Sequence, residues 1–267
     1  MNRVPFYGAA VLCLDEPNVQ AIIPDVKRPI ITYGTSPQAD LVISDLEIRG
    51  LGSEFRLTYK GEDLGMFLLP HPPGIHNVRN AAAAAAVALY LNVASDLIRE
   101  GLAKFAGVGR RFDIKGVVND ITVVDDYGHH PAEIRATLKA ARGCQFNHLL
   151  ALFQPHRYTR TQHLWDEFVR AFNEADVLAL VDVYAAGEAP VPGITSEALA
   201  NGIREAGHKN VQYFRSMQDA IEFLLREARP GDAILTIGAG NVSRASSELM
   251  VLLGAELRVE DRIRNAD

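Results

Sequence analysis

Four short polar clusters in the second half of the chain carry residue types able to work on anions. Asp125-Asp126-Tyr127-Gly128-His129-His130 follows the apolar run ITVV, and Gln154-Pro155-His156-Arg157-Tyr158-Thr159-Arg160 follows LLALF. Asp182-Val183-Tyr184 ends LALV, and Gly238-Ala239-Gly240-Asn241 follows AILTI. A guanidinium grips carboxylate or phosphate with two parallel hydrogen bonds, and an imidazole can take a proton near neutral pH. His156, Arg157 and Arg160 open a helical pattern, where cations oppose the helix dipole. An anionic ligand would relieve that conflict; a solvated helix start is the alternative. His130 precedes Pro131, which suits the first turn of a helix, so the Asp-His cluster has a second reading as cap and loop. Gly-Ala-Gly before a helix could cradle phosphate or simply allow a tight turn. In the first half, Asn77 and Asn80 are three apart and share a helix face. Their amides could both donate to and accept from an adenine edge; the alternative is that Asn77 is an N-cap.

The elements that must hold these residues follow two rhythms. Up to about residue 110, the apolar run Pro5–Leu14 and RPIITY read as strands. LVISDLEI, SEFRLTYK and GMFLLP alternate apolar and polar residues, the pattern of a small antiparallel sheet. NVRNAAAAAAVALYLN is a strong helix by propensity, and SDLIREGLAKF is a second, with Ser95 as its expected N-cap. The Gly- and Arg-rich GVGRRFDIKG marks a junction, giving domains 1–110 and 111–267. Beyond it, strands alternate with helices: ITVVDDY, PAEIRATLKAAR, HLLALFQ, TQHLWDEFVRAFNEA, VLALVDVY, SEALANGIREAG, VQYF, SMQDAIEFLLREA, DAILTIGAG, SRASSELMVLLG. That alternation predicts a doubly wound, Rossmann-like α/β domain with a parallel sheet. In such sheets ligands bind beyond the carboxyl ends of the strands, where the four polar clusters fall.

Composition sets outer limits. With 267 residues and 48% hydrophobic content, the chain is long enough for one large domain or two ordinary ones. The net charge of -6 argues against a general nucleic-acid binder. Cys13 and Cys144 sit in apolar runs and read as buried thiols, with no zinc-binding spacing. No signal peptide and no apolar run of spanning length is visible, so a cytoplasmic protein is expected, with no membrane partner. The opening strand has little sequence before it to supply neighbours, so Met1 is expected to lie inside a domain.

The strings PFYGAAVLCLD, PGIHNVRNAAAA, GVGRRFD, DDYGHHPAEI, FQPHRYTRT, DVYAAGEAPVPG and LTIGAGN together resemble the Mur ligases, and they run in family order across nearly the whole chain. DDYGHHP with QPHRYTR is most similar to the members that add L-alanine to UDP-N-acetylmuramate; those that recycle murein tripeptide are the near alternative. The resemblance implies an ATP-dependent amide-bond ligase, with 1–110 the latter part of the ATP-binding domain and 111–267 the third domain. It implies ATP and Mg2+ as cofactors, UDP-N-acetylmuramate and L-alanine as partners, and no bound nucleic acid. By the same resemblance Asn77 and Asn80 lie on the adenine side and Arg111 reaches the ATP phosphates. Asp126, Tyr127, His129 and His130 lie on the ribose and substrate side. His156, Arg157 and Arg160 stand near the muramoyl carboxylate and the amino acid.

The same comparison marks departures. The family's Gly-Lys-Thr phosphate loop occurs nowhere in this sequence, and its magnesium ligands are expected upstream. Asn241 stands where the family often has Asp. Catalysis by such a site would use Arg111, His130, His156, Arg157 and Arg160, with the amine's proton going to His129, His130 or His156. A chain without the phosphate loop is expected not to ligate alone. A non-catalytic nucleotide-binding or interaction module is the alternative of another class. A dehydrogenase would need a GxGxxG after a strand, which the sequence lacks.

Overall fold

The computed structural model describes residues 4–264, with side chains up to residue 254; Met1 and the reading attached to it lie outside the described residues. The chain forms two compact units, 1–107 and 108–267.

The first unit is one mixed sheet backed by helices. Its strands are β1 (Ala10–Cys13), β2 (Ile30–Gly34), β3 (Leu41–Arg49), β4 (Gly52–Tyr59) and β5 (Glu62–Leu69), in that spatial order. The expected antiparallel sheet is present as β3–β4–β5, but β1, β2 and β3 pair in parallel. The run from Pro5 is strand only over Ala10–Cys13, because Gly8 N–H donates to Pro5 O in a turn at 2.9 Å. A helix that sequence patterning missed, α1 (Pro17–Ile22), follows β1; none of its residues is buried, so no apolar stripe marks it.

The alanine run lies in α2 (Ile75–Tyr90), where Ala81, Ala82, Ala85 and Ala86 are buried with Val78. Their small side chains join a core of Ile31, Leu41, Phe55, Leu57 and Phe67. The following α3 (Ser95–Ala103) begins one residue earlier than expected. Ala94 is its N-cap and Ser95 makes no cap bond.

The second unit is a six-stranded sheet with helices on both faces. Its strands are β6 (Asp113–Val118), β7 (Ile121–Asp126), β8 (Leu149–Phe153), β9 (Val177–Val181), β10 (Val211–Phe214) and β11 (Ala233–Ile237), ordered β10-β9-β8-β11-β7-β6. Five strands run parallel, as the alternation predicts. Edge strand β6 is antiparallel to β7. A two-residue turn joins them at Asn119 and Asp120, both with positive φ (53° and 60°), the geometry hairpin turns need.

Strands β7 to β9 and β11 are buried on both faces. On one face Ile134 and Leu138 of α4 (Pro131–Gly143) and Leu199 and Ile203 of α7 (Ser196–Glu205) pack on Val124, Leu178 and Leu235. On the other, Ile221 and Leu224 of α8 (Met217–Glu227) and Leu249 and Leu253 of α9 (Ser243–Arg264) pack on Val123, Leu150 and Ile234. The single helix expected over TQHLWDEFVRAFNEA is broken. It is α5 (Tyr158–His163) and α6 (Trp165–Phe168), after which the chain turns so that Phe168 and Phe172 both reach Phe153, at 5.9 and 4.9 Å between ring centres.

The chain moves from β7 through β8 and β9 to β10, then returns to insert β11 between β8 and β7. The order therefore reverses at β11, and the crevice beyond its carboxyl end is where such sheets bind ligands.

Candidate anion-handling site at the strand tips

Beyond β7, two adjacent aspartates do different work. Asp125 is 1% exposed; it accepts from Thr236 Oγ1 at 2.7 Å and from Arg110 Nε at 3.2 Å. Asp126 accepts from Phe112 N–H at 2.8 Å and from Gly128 N–H at 2.7 Å. Burial pushes its carboxyl above the usual value even against these hydrogen bonds. Asp126 thus shapes the loop on both sides of itself.

The two arginines of the junction also divide. Arg110 takes a positive φ of 61°, donates from Nη2 to Gly238 O at 2.7 Å and lies 4.9 Å over the Tyr127 ring. It ties the tip of β7 to the tip of β11. Arg111 lies over the same ring at 5.7 Å and 3.6 Å from Glu133, with its side chain half exposed. Only the second is free to reach a ligand.

His130 is the N-cap of α4. Its Nδ1 accepts from Ala132 N–H at 3.2 Å, and Glu133 accepts from the amides of His129 and His130 at 3.0 and 3.2 Å. This is a capping box with histidine in place of Ser or Thr, so the cap reading of His130 holds through its Nδ1. Burial pushes the Glu133 carboxyl up, but the amides of His129 and His130, with His129 and Arg111 nearby, bring it below the usual value. His129 places Nδ1 3.0 Å from Tyr127 O and 3.7 Å from Glu133.

Beyond β8, His156 stacks on Tyr184 with ring centres 5.4 Å apart and planes 16° from parallel. Arg160 Nη1 donates to His156 O at 3.1 Å and lies 3.2 Å from His156 Nδ1. Burial, then Arg160, His129 and Arg157, hold the His156 pKa below its ordinary value. Arg157 sits at a positive φ of 73° as N-cap of α5, its amide donating to Tyr184 O at 2.9 Å.

The expected conflict between these cations and the helix dipole has a partner inside the protein. Glu188 accepts from Thr159 N–H at 3.0 Å and Thr159 Oγ1 at 2.6 Å, and lies 4.0 Å from Arg157. Those bonds from Thr159 hold its carboxyl below the usual range. An external anion is therefore not required to explain the basic cluster, although Arg160 has no carboxylate partner among the described residues.

The Gly-Ala-Gly turn is packed from within. A Cβ on Gly240 would lie 2.3 Å from Gln154 Oε1, and one on Gly238 would lie 2.9 Å from Gln154 O. Gln154, 6% exposed, accepts from Val242 N–H at 3.2 Å. The tight-turn reading accounts for these glycines.

The structure brings Arg111, Tyr127 and His129 together at the β7 tip, and His156, Arg157 and Arg160 together at the β8 tip. The rings of His129 and His156, 5.9 Å apart, join the two groups. Sequence reading passed over Arg110, Glu133 and Glu188. Glu133 had a signal, since Glu at the third helical position is the capping-box signature. Glu188 had none, lying 29 residues from Thr159.

Asn77 and Asn80 belong to the first unit. Gly74 caps α2, so Asn77 is inside the helix; its Nδ2 donates to Pro73 O at 2.7 Å, and Asn80 is exposed. Nearby in that unit, Asp15 accepts from the amides of Thr35 and Ser36 and pairs with Arg79 at 3.0 Å. Among the described residues no group of three His, Cys, Asp or Glu side chains could hold a metal ion, and no helix is long and apolar enough to cross a membrane.

The doubly wound sheet carries cations and imidazoles at its carboxyl rim, where such sheets bind ligands. The chain belongs to the Mur ligase family: residues 1–88 match the Mur ligase middle domain and residues 110–240 the Mur ligase glutamate ligase domain. A UDP-N-acetylmuramate–L-alanine ligase of Solibacter usitatus is 52% identical over 96% of this chain and 54% of its own length. The protein of the same name from Koribacter versatilis is 49% identical over 96% and 56%. The chain thus spans about half the length of the curated relatives it matches. Among solved structures, the UDP-N-acetylmuramate–alanine ligase of Thermotoga maritima superposes with a TM-score of 0.72 at 24% identity, over 85% of this chain and 48% of that one. A murein peptide ligase from Psychrobacter arcticus gives 0.64 at 23%, over 95% and 52%. At these identities the structural matches speak for the fold.

Proposed function

We propose that this chain supplies the acceptor side of an ATP-dependent ligase that joins the carboxylate of UDP-N-acetylmuramate to L-alanine in peptidoglycan precursor synthesis, in the cytoplasm. The observation that carries the reading is the joined cluster of His129, His156, Arg157 and Arg160 at adjoining strand tips of the second unit. Every species on the reaction path is anionic, from carboxylate to acyl phosphate to released phosphate. Catalysis then rests on positioning and on cations aimed at developing charge. Arg160 and Arg111 are the guanidinium groups best placed for this. Arg157 contributes from its strained backbone position beside Glu188, and Tyr127 and His129 line the adjoining wall. The shared name of the relatives at 49–52% identity supports alanine as the amino acid over a recycled tripeptide.

ATP is the phosphoryl donor in this reading, with Mg2+ as its counterion. Asn77, Asn80 and Arg111 suit an adenine and a phosphate by their donor chemistry. Among the described residues no cluster of His, Cys, Asp or Glu side chains suits magnesium.

The test is alanine-dependent release of phosphate. The 267-residue chain alone, which lacks a Gly-Lys-Thr loop, is expected to release none. A protein carrying these residues together with that loop is expected to turn over, and Arg160→Ala in it to lose about 100-fold in kcat/KM. Unchanged kcat/KM in that variant would remove the cluster from the reaction.

A further inference from the structure

Three histidines stand at the rim, and their partners decide which nitrogen of each bears hydrogen. A carbonyl oxygen can only accept, so His129 Nδ1, 3.0 Å from Tyr127 O, must carry the proton. The Glu133 carboxylate 3.7 Å from the same nitrogen favours the same state. Neutral His129 therefore keeps Nε2 as a bare lone pair. The other two are set the opposite way. A guanidinium can only donate, so His156 Nδ1, 3.2 Å from Arg160 Nη1, must be unprotonated. An amide N–H likewise donates to His130 Nδ1. Neutral His156 and His130 both carry hydrogen on Nε2 and can offer it but not take one there. His130 is also committed to the helix cap.

We infer that His129 Nε2 is the atom that accepts the proton of the incoming amine, with Tyr127 O and Glu133 orienting the ring and His156 acting as a hydrogen-bond donor. The reaction assigned here rests on the ligase reading; the tautomers do not. An amino acid arrives as an ammonium and must lose a proton before its nitrogen has a lone pair. Transfer to His129 Nε2 leaves an imidazolium and a neutral amine. The amine's nitrogen forms the bond to the acyl carbon, and the bond from that carbon to the phosphate oxygen breaks. Two protons leave the nitrogen in all, one to His129 and one to the departing phosphate. The groups facing His129 are Glu133, 3.7 Å from its Nδ1, and the His156 ring, 5.9 Å away between centres; Arg111 lies on the far side of the same carboxylate, 3.6 Å from Glu133. The edge of the His129 ring against the Tyr127 ring, 5.2 Å between centres at 89°, fixes its plane.

Two measurements decide this. Long-range 1H–15N spectra of the labelled chain at pH ~8, where ordinary imidazoles are neutral, should show His129 protonated at Nδ1 and His130 and His156 at Nε2. Assignment comes from the signal each His→Gln variant removes; if His129→Gln does not fold, the variants at the other seven histidines assign His129 by difference. A proton on His129 Nε2 would overturn the inference. In a ligation-competent protein bearing these residues, His129→Gln should slow alanine transfer by about 100-fold or more, with the loss shrinking as pH rises. Trapping of the acyl phosphate by hydroxylamine, already uncharged at neutral pH, should be retained. Equal loss of both reactions, or no loss of alanine transfer, would sink the proposal. If the unsubstituted protein yields no hydroxamate, the ligase reading fails while the tautomers stand or fall by the spectra.

Discussion

Helices α4 and α5 both begin at the rim of the same sheet, yet their first turns are built in opposite ways. The start of α4 is closed by its own residues. His130 caps it, Pro131 opens it, and Glu133 reaches back to two amides. The start of α5 has no cap of its own. Arg157 occupies the cap position in a left-handed backbone conformation, and the acceptor for Thr159 comes from Glu188 on a distant loop. The first arrangement spends its histidine on structure. The second keeps the side chains of its arginines and histidine out of the capping bonds, with Arg157 half exposed. A helix start that is self-sufficient is framework; one that borrows its acceptor from elsewhere can afford cations at its tip.

That contrast can be broken at several points. The largest effect is expected upstream of α4, where Asp126 satisfies two backbone donors. Asp126→Ala should destabilise the protein by about 2 to 6 kcal/mol, since each abandoned buried donor costs roughly 1 to 3; urea denaturation measures it. A smaller change would show that the loop is not held by this carboxylate.

Glu188→Ala should lower kcat/KM of a ligation-competent protein on the order of tenfold, chiefly through a raised KM for the anionic substrate. A smaller loss of unfolding free energy than at Asp126 is expected, because Glu188 holds only the first turn of a short helix. An effect on stability alone would make α5 framework like α4.

Glu133→Ala should cost about 1 kcal/mol in unfolding free energy, the usual worth of a helix cap. Both glutamates have lowered values, so the stability they contribute is complete above 4.5 and is lost as pH falls through their folded values. An acid-limb titration of stability should flatten in the Glu133→Ala variant.

The smallest effect is electrostatic. Arg160→Ala should raise the His156 pKa toward 6.5 while leaving it below that value, since burial is the larger cause. An NMR titration reads this directly. An unchanged His156 would separate the two side chains and weaken its tautomer assignment.

The parallel order of the second unit and the position of its polar rim were legible because strand and helix lengths alternate so regularly. The antiparallel edge β6 was not, since its pairing depends on a two-residue turn with no glycine. The break between α5 and α6 was hidden for a related reason. Residues 161–175 have helical composition throughout, and the chain bends only so that Phe168 and Phe172 can both meet Phe153.

Residue types and their order along the chain were enough to determine which strand tips carry charge, and the resemblance to a family of ligases. Local chemistry could also have shown the His130–Glu133 cap, since its partners lie three residues apart. The separation of Arg110 from Arg111, the pinning of α5 by Glu188 and the protonation of each histidine were decided only by the tertiary structure. Each depends on a carbonyl, carboxylate or guanidinium brought within hydrogen-bond range by folding, and hydrogen-bond range is a property of space that spacing along a chain does not encode.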